Sequence, residues 1–230
     1  MINTIIEKIK KREPLTDAEK MTFINYSITT PSKAGKMDQI PSISTSALCS
    51  VGCAMRSKNS NYICNKCYAR RELKRRKTLR EKMYINNIFY TQYELTAACV
   101  PYINSNLFRF EGFGEIQNII QVKNYFTIAR KNKHCFFVLW TKEPQIIQEA
   151  MAAYNTRKPS NMRIIVSEYI INAPEKKRIS WTFADKVFSV YTKDHANKND
   201  ININCAGKCI DCMRCYDKAN KEKYINGIIK

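Results

Sequence analysis

The chain is short of histidine, of long apolar runs and of acid, and each shortage closes a class of explanation. Only two histidines occur, His134 and His195. Neither falls inside the cysteine clusters described below, which argues against a Cys2His2 zinc site and leaves all-cysteine sites. The N-terminus, MINTIIEKIKKREPLT, has no apolar core of the length that a secretory signal needs. The longest apolar run in the middle of the chain, Cys135 to Trp140, is far too short to cross a bilayer. These absences point to a soluble protein of a reducing cytoplasm with no membrane partner. Acid is scarce as well: 20 Asp and Glu face 39 Lys and Arg, a formal net charge of +19. An enzyme for a small neutral substrate has no need of this excess. A polyanionic partner accounts for it, with nucleic acid first and an anionic membrane surface second. A composition rich in Lys, Asn and Ile, as an AT-rich genome encodes, would give the same excess without any partner.

Against these shortages stand ten cysteines, eight of them in two clusters. One reads Cys49-x3-Cys53-x10-Cys64-x2-Cys67 and the other Cys205-x3-Cys209-x2-Cys212-x2-Cys215. Clustering, and a length of 230 residues that needs no staples, argue against a disulfide scaffold. Short Cys-x2-Cys and Cys-x3-Cys loops place two sulfurs near one point, as a metal centre requires, and four thiolates suit zinc or an iron–sulfur cluster. In the second cluster, Cys209, Cys212 and Cys215 recur at intervals of three, as in runs that wrap a [4Fe–4S] cube. Four sulfurs from so short a segment strain as a tetrahedral zinc site, so iron–sulfur is favoured there. The first cluster fits either metal. A purely structural metal brace is the alternative for both. Cys99, Cys135 and His134 lie in or beside apolar segments and read as core residues.

The organisation follows from the clusters. Residues 1–48 form a helical lead-in and a loop, with Thr16 and Glu19 spaced as a capping box and Lys33 and Lys36 available to an anion. Residues 49–204 form a βα body that begins with the first cluster. Arg70 to Lys82 carries eight basic residues and neither Gly nor Pro, which predicts one basic helix. Strands are expected at Leu107–Phe110, Cys135–Trp140, Met162–Val166 and Lys186–Tyr191, and helices at Ile116–Arg130 and Pro144–Tyr154. Strand centres recur at the spacing of βα units, so the fold class is α/β with a parallel sheet, open or partly closed, of the barrel or doubly wound type. Chemistry in such sheets collects at the carboxyl ends of strands. Those ends carry Glu111-Gly112-Phe113-Gly114-Glu115, Thr141-Lys142, Ser167-Glu168 and Thr192-Lys193. Residues 205–230 hold the second cluster and a Lys-rich helix from Tyr216 to Tyr224.

The first cluster with Tyr68-Ala69 after it, the basic helix, the Arg-Phe-x-Gly-x-Gly-Glu and Trp-Thr-Lys strand ends and the C-terminal cluster occur in an order that resembles a phage family, gene product eighty-eight, which has no assigned activity. The resemblance implies a phage or prophage origin and a host-cytoplasm setting. A looser resemblance is to radical S-adenosylmethionine enzymes. Cys-x2-Cys-Tyr opening a helix is similar to the end of their cluster loop, and Gly112-x-Gly114-Glu115 looks like the segment that holds the methionyl amine. Two departures stand out: ten residues separate Cys53 from Cys64 where that superfamily has two, and Phe113 separates the glycines. The likeness implies a partial βα barrel, with three cysteines of the first cluster ligating a cluster open to the cofactor and one of Cys49 and Cys53 spare or serving the second cluster.

Three functions fit. The first is a radical-S-adenosylmethionine-like iron–sulfur enzyme acting on nucleic acid or a nucleotide, with Gly112, Gly114 and Glu115 holding the cofactor and Arg109, Lys142, Ser167 and Lys193 facing substrate. The second is a non-catalytic nucleic-acid-binding protein braced by zinc or an inert cluster. Arg70, Arg71, Lys74, Arg75, Arg76, Lys77 and Arg80 would grip phosphates, and Tyr84 or Tyr90 would stack on bases. The third is an electron-transfer or redox-sensing module.

Overall fold

Six strands, β1 (Ser42–Ile43), β2 (Leu107–Phe110), β3 (Phe136–Thr141), β4 (Met162–Ile171), β5 (Lys186–Tyr191) and β6 (Tyr224–Ile228), make one sheet in chain order, every pair parallel. The computed structural model describes residues 1–30, 37, 39–173 and 181–229. Lys33 and Lys36 lie outside them. The helices are α1 (Ile2–Lys11), α2 (Asp17–Ser27), α3 (Val51–Arg56), α4 (Tyr68–Arg75), α5 (Lys77–Gln92), α6 (Ile119–Lys131), α7 (Pro144–Ala153), α8 (Lys193–Lys198) and the one-turn α9 (Cys209–Cys212). No helix among the described residues is long and apolar enough to cross a membrane.

Sequential parallel neighbours joined by right-handed crossovers place their connecting helices on one face of the sheet. The burial pattern shows this face. Phe108, Phe110, Phe137, Leu139, Met162 and Ile164 pack with residues of α1, α2, α5, α6 and α7 in the main core. Their neighbours in sequence point the other way. Phe136, Val138, Trp140, Ile165 and Phe188 form a second apolar layer, which is covered by Cys209, Met213, Cys215 and Tyr216 from the C-terminal segment. The sheet is therefore helical on one side and cysteine-covered on the other. No pairing among the described residues closes it into a barrel.

The expected strands and helices stand, with shifted ends and three corrections. The basic segment is two helices, because Arg76 is extended (φ −109°, ψ 98°) and breaks it. The two pieces bury different faces in different places: Ala69 and Leu73 of α4 pack with Cys53, whereas Ile85, Ile88 and Phe89 of α5 enter the main core. One straight axis does not serve both. The second correction is the expected Lys-rich helix at Tyr216–Tyr224, which is absent. Buried Arg163 and Lys186 take the carbonyls of Arg214, Lys218, Asn220 and Glu222 that a helix would use for its own ladder. The chain turns through this segment and adds β6 instead. Third, β4 runs past Val166 to Ile171, with a register shift against β5 between Ser167 and Ile171. Ser167 and Glu168 thus sit at the start of an irregular stretch inside the strand, not after its end. The Thr16–Glu19 capping box is present.

Candidate metal and strand-end site

The carboxyl ends of β2 and β3 and the irregular stretch of β4 surround a cavity of about 190 Å³. Three cysteines of the first cluster, Cys53, Cys64 and Cys67, are on its wall, together with Arg109, Glu115 and Lys142. Gly112, Gly114 and Ser167 line it too. Cys49 is not on that wall. Lys142 and Ser167 also border a wider groove of about 790 Å³, so the two spaces adjoin. Lys193 is exposed and lines neither. Its neighbour Thr192 caps α8 by accepting the His195 N–H.

The cluster is bolted to the strand ends by contacts outside the cysteines. Ser50 caps α3 and accepts the Cys53 N–H at 3.1 Å. The Tyr68 hydroxyl donates to the Gly112 carbonyl, and its ring meets Phe113 edge-on at 5.7 Å. Arg70 donates to the Ala47 carbonyl at 3.0 Å. The ten-residue interval between Cys53 and Cys64 also has a job. Its Arg56 pairs with Glu143 at 2.5 Å, both largely buried, and lies over the Tyr169 ring. Tyr62 bridges to Ile170 of β4. The interval therefore ties the cluster across the ends of β3 and β4.

Glu115 is buried, and its carboxylate accepts from the Thr141 hydroxyl at 2.6 Å, the Lys142 N–H at 2.9 Å and the Ile116 N–H at 3.0 Å. A carboxylate has about four acceptor positions, so one remains. Burial raises the Glu115 pKa, and the Lys142 charge opposes that rise. The Lys142 ammonium itself makes no hydrogen bond or salt bridge among the described residues. Arg109 lies over the Trp140 ring at 4.1 Å, and its Nε has no hydrogen-bond partner among the described residues. Burial, and then the Glu115 charge, push the Cys53 thiol up to about 11. A metal-ligating cysteine must lose that proton, so metal binding here is proton-linked.

Sequence reasoning passed over Glu111, which stands directly after β2 with φ 58°. Its buried carboxylate accepts from the Thr45 N–H and hydroxyl, Gln121 and Tyr125. Burial, opposed by these donors, leaves its pKa at about 7. An acid placed immediately after an apolar strand was the available signal. Thr45 and Tyr68 were passed over as well; a Ser-Thr-Ser run and a single aromatic give no comparable signal.

The second cluster lies on the sheet face beneath this cavity, and Trp140 and Phe188 border both spaces. Sharing those two walls, the clusters are neighbours. All ten cysteines are free thiols. Among the described residues no group of three or more His, Cys, Asp or Glu side chains is already arranged to hold a metal ion. The histidines stand apart from both clusters. His134 is a surface residue stacked on Tyr102, not the core residue expected, and His195 stacks on Tyr191. Cys99 and Cys135 are buried in the core, as expected. Of the cationic residues, Arg71, Lys74, Arg75, Arg76, Lys77 and Arg80 are exposed along α4 and α5, whereas Arg70 is half-buried at the cavity. Tyr84 is half-exposed; Tyr90 is fully buried against Ser27 and is not free to stack on a base.

No curated protein and no solved structure matches the chain. The likeness to radical S-adenosylmethionine enzymes gains no support from these comparisons. A family model described as Gene product 88 matches residues 7–226, from within α1 to within β6. With nearly its whole length matched, the chain belongs to the phage gene product 88 family.

Proposed function

We propose that this protein is an iron–sulfur enzyme whose chemistry takes place where the carboxyl ends of β2 and β3 meet the irregular stretch of β4, with a nucleic acid or nucleotide as substrate. The observation that carries the reading is the gathering of Cys53, Cys64 and Cys67 on the cavity that Arg109, Glu115 and Lys142 also line. Three thiolates beside an open space leave a coordination position for a ligand, which distinguishes catalytic from closed structural metal sites. A [4Fe–4S] cluster there would supply the electron for reductive cleavage of S-adenosylmethionine. Glu115 offers its remaining acceptor position, in the loop of Gly112 and Gly114, to an amine. Lys142 and Arg109 offer positive charge to an anionic substrate, and Ser167 offers a hydroxyl where the cavity meets the wider groove. In this reading the parallel sheet, helical on one side only, is an opened βα barrel, and the protein works in a reducing cytoplasm, that of the host if phage-encoded.

The test is purification without oxygen, followed by absorption and iron, sulfide and zinc analysis. A brown protein with about four irons at the first cluster is expected, forming methionine and 5′-deoxyadenosine when given dithionite and S-adenosylmethionine. A colourless protein with zinc alone at that cluster ends the enzyme reading. An iron-loaded protein in which Glu115→Ala and Lys142→Ala change nothing moves the assignment to an electron-transfer or redox-sensing module.

One observation favours a second reading, nucleic-acid binding without catalysis on a zinc- or cluster-braced fold. Arg71, Arg75 and Arg76 stand 3.6–3.8 Å from Glu72, each with about 70% of its side chain exposed. One carboxylate does not neutralise three guanidiniums, so this surface has donors left over for phosphate. With Arg75 and Arg76 replaced by Glu, the slope of log affinity against log salt should fall by about 2, near 0.9 per lost phosphate contact. Binding that is flat with salt in the wild-type chain defeats this reading.

A further inference from the structure

The second cluster is built differently from the first. Cys205, Cys209, Cys212 and Cys215 all line one hollow of about 30 Å³, whose other walls are apolar at Trp140, Phe188 and Ile225 and cationic at Lys208 and Arg214. That volume holds roughly one water-sized sphere. Local backbone geometry brings the four residues around it. Cys209 and Cys212 are three apart on α9 and share a helix face. Met213 turns left-handed (φ 52°), and its carbonyl accepts the Tyr216 N–H at 2.7 Å, which brings Cys215 back toward the helix. The Cys205 N–H is tied to the Asn226 carbonyl of β6 at 3.0 Å.

A second, independent observation concerns charge. Arg163 and Lys186 are buried on the same sheet face. Neither makes a salt bridge with a carboxylate among the described residues; both spend their donors on neutral groups of residues 214–222. Two buried cations whose hydrogen bonds among the described residues all go to neutral groups are costly unless negative centres lie close. Cys215 stands beside Lys186, with Glu222 and Asp185 also near it, and the Cys215 sulfur becomes a negative centre when it ligates a metal.

We propose that the second cluster is a closed site for a single divalent ion of the zinc type, held by the four thiolates of Cys205, Cys209, Cys212 and Cys215. Its net charge of −2 is balanced by Arg163 and Lys186. The proposal shares with the proposed function only the premise that the cysteine clusters bind metal. It departs from the iron–sulfur expectation raised by the spacing, because an eight-atom cube would have to drive α9 away from Trp140 and Phe188. The ion would clamp the C-terminal segment onto the open sheet face, the sulfurs closing on it as it binds.

The test is zinc and iron content, with cysteine alkylation mapped by mass spectrometry, on the full chain and on the C209S/C212S and C64S/C67S variants. About one zinc per chain is expected, retained by C64S/C67S and lost from C209S/C212S. In the wild-type chain, the four thiols should resist iodoacetamide until a chelator removes zinc. If C209S/C212S does not fold, the wild-type alkylation map decides alone. Iron in place of zinc at these four cysteines, or alkylation that chelation does not change, overturns the proposal. Absence of iron at the first cluster, or of S-adenosylmethionine cleavage, would sink the enzyme reading and leave the zinc result untouched.

Discussion

The two cysteine clusters each supply four thiols and have different surroundings. The first meets the ends of β2 and β3 and the irregular stretch of β4, where buried carboxylates, a lysine unpaired among the described residues and an open groove converge. The second lies on the sheet face, its four half-buried cysteines around a small hollow floored by Trp140, Phe188 and Ile225 and rimmed by Lys208 and Arg214. Spacing establishes only that sulfurs can meet. What they meet beside is decided by the sheet: strand ends expose backbone and polar groups, whereas the strand face presents the alternate side chains of β3, β4 and β5. An open position suits chemistry and a sealed one suits support.

The sharpest way to break this contrast is to substitute the cysteines of the first cluster singly. Cys64→Ser should lower metal affinity there by more than the roughly 10–100-fold that follows loss of an outer-shell partner. Cys49→Ser should do far less, since Cys49 does not reach the cavity. Equal losses, read as metal content of the purified variants, would mean that four cysteines ligate and that both sites are closed.

The next effect is on stability and belongs to the strand ends alone. The Glu111 pKa is raised in the folded chain from an ordinary 4.5 to about 7, chiefly by burial. The unfolded chain therefore loses this proton first as pH rises. Glu111's contribution is favourable below pH 4.5 and is lost as pH climbs through 7, by on the order of 3 kcal/mol at about 1.4 kcal/mol per unit. Glu111→Gln should flatten the fall in melting temperature between pH 5 and pH 8. A variant that melts with the wild-type pH slope would show that Glu111 stays ionised and that the strand ends are no less polar than water.

These regions were unequally legible in the sequence. β2 and β5 were readable to the residue, because apolar runs end there at Glu111 and Thr192, and α2 announced itself by its Thr16 cap. β1 is two residues of a Ser-rich stretch that become a strand only by pairing with Arg109 and Phe110. β6 was hidden because Asp217 to Lys223 has the composition of a solvated helix. What overrides it is tertiary: Arg163 and Lys186, distant in sequence, capture its carbonyls. At the site, the residue types were readable but not their sorting. Nothing in Thr141-Lys142 and Thr192-Lys193 says that Lys142 enters the cavity while Lys193 faces solvent. The irregular stretch that keeps Ser167 at the cavity arises from the pairing of β4 with β5, which no local pattern records.

The smallest effects separate two glycines that look alike in sequence. Gly114 has ordinary dihedrals, but a methyl there would run into the Glu111 carboxylate and Thr45. Gly207, beside the second cluster, has φ 83° and open space around it. Gly114→Ala is therefore a packing error at the strand-end floor and should cost about 1–3 kcal/mol. Gly207→Ala carries only the left-handed penalty of about 1 kcal/mol. Thermal unfolding of both variants, with metal content measured alongside, tests whether the damage is local. Gly114→Ala should loosen the first site and spare zinc at the second, and Gly207→Ala should do the reverse. If both variants lose both metals, the clusters fold as one unit and the wall of Trp140 and Phe188 does not insulate them.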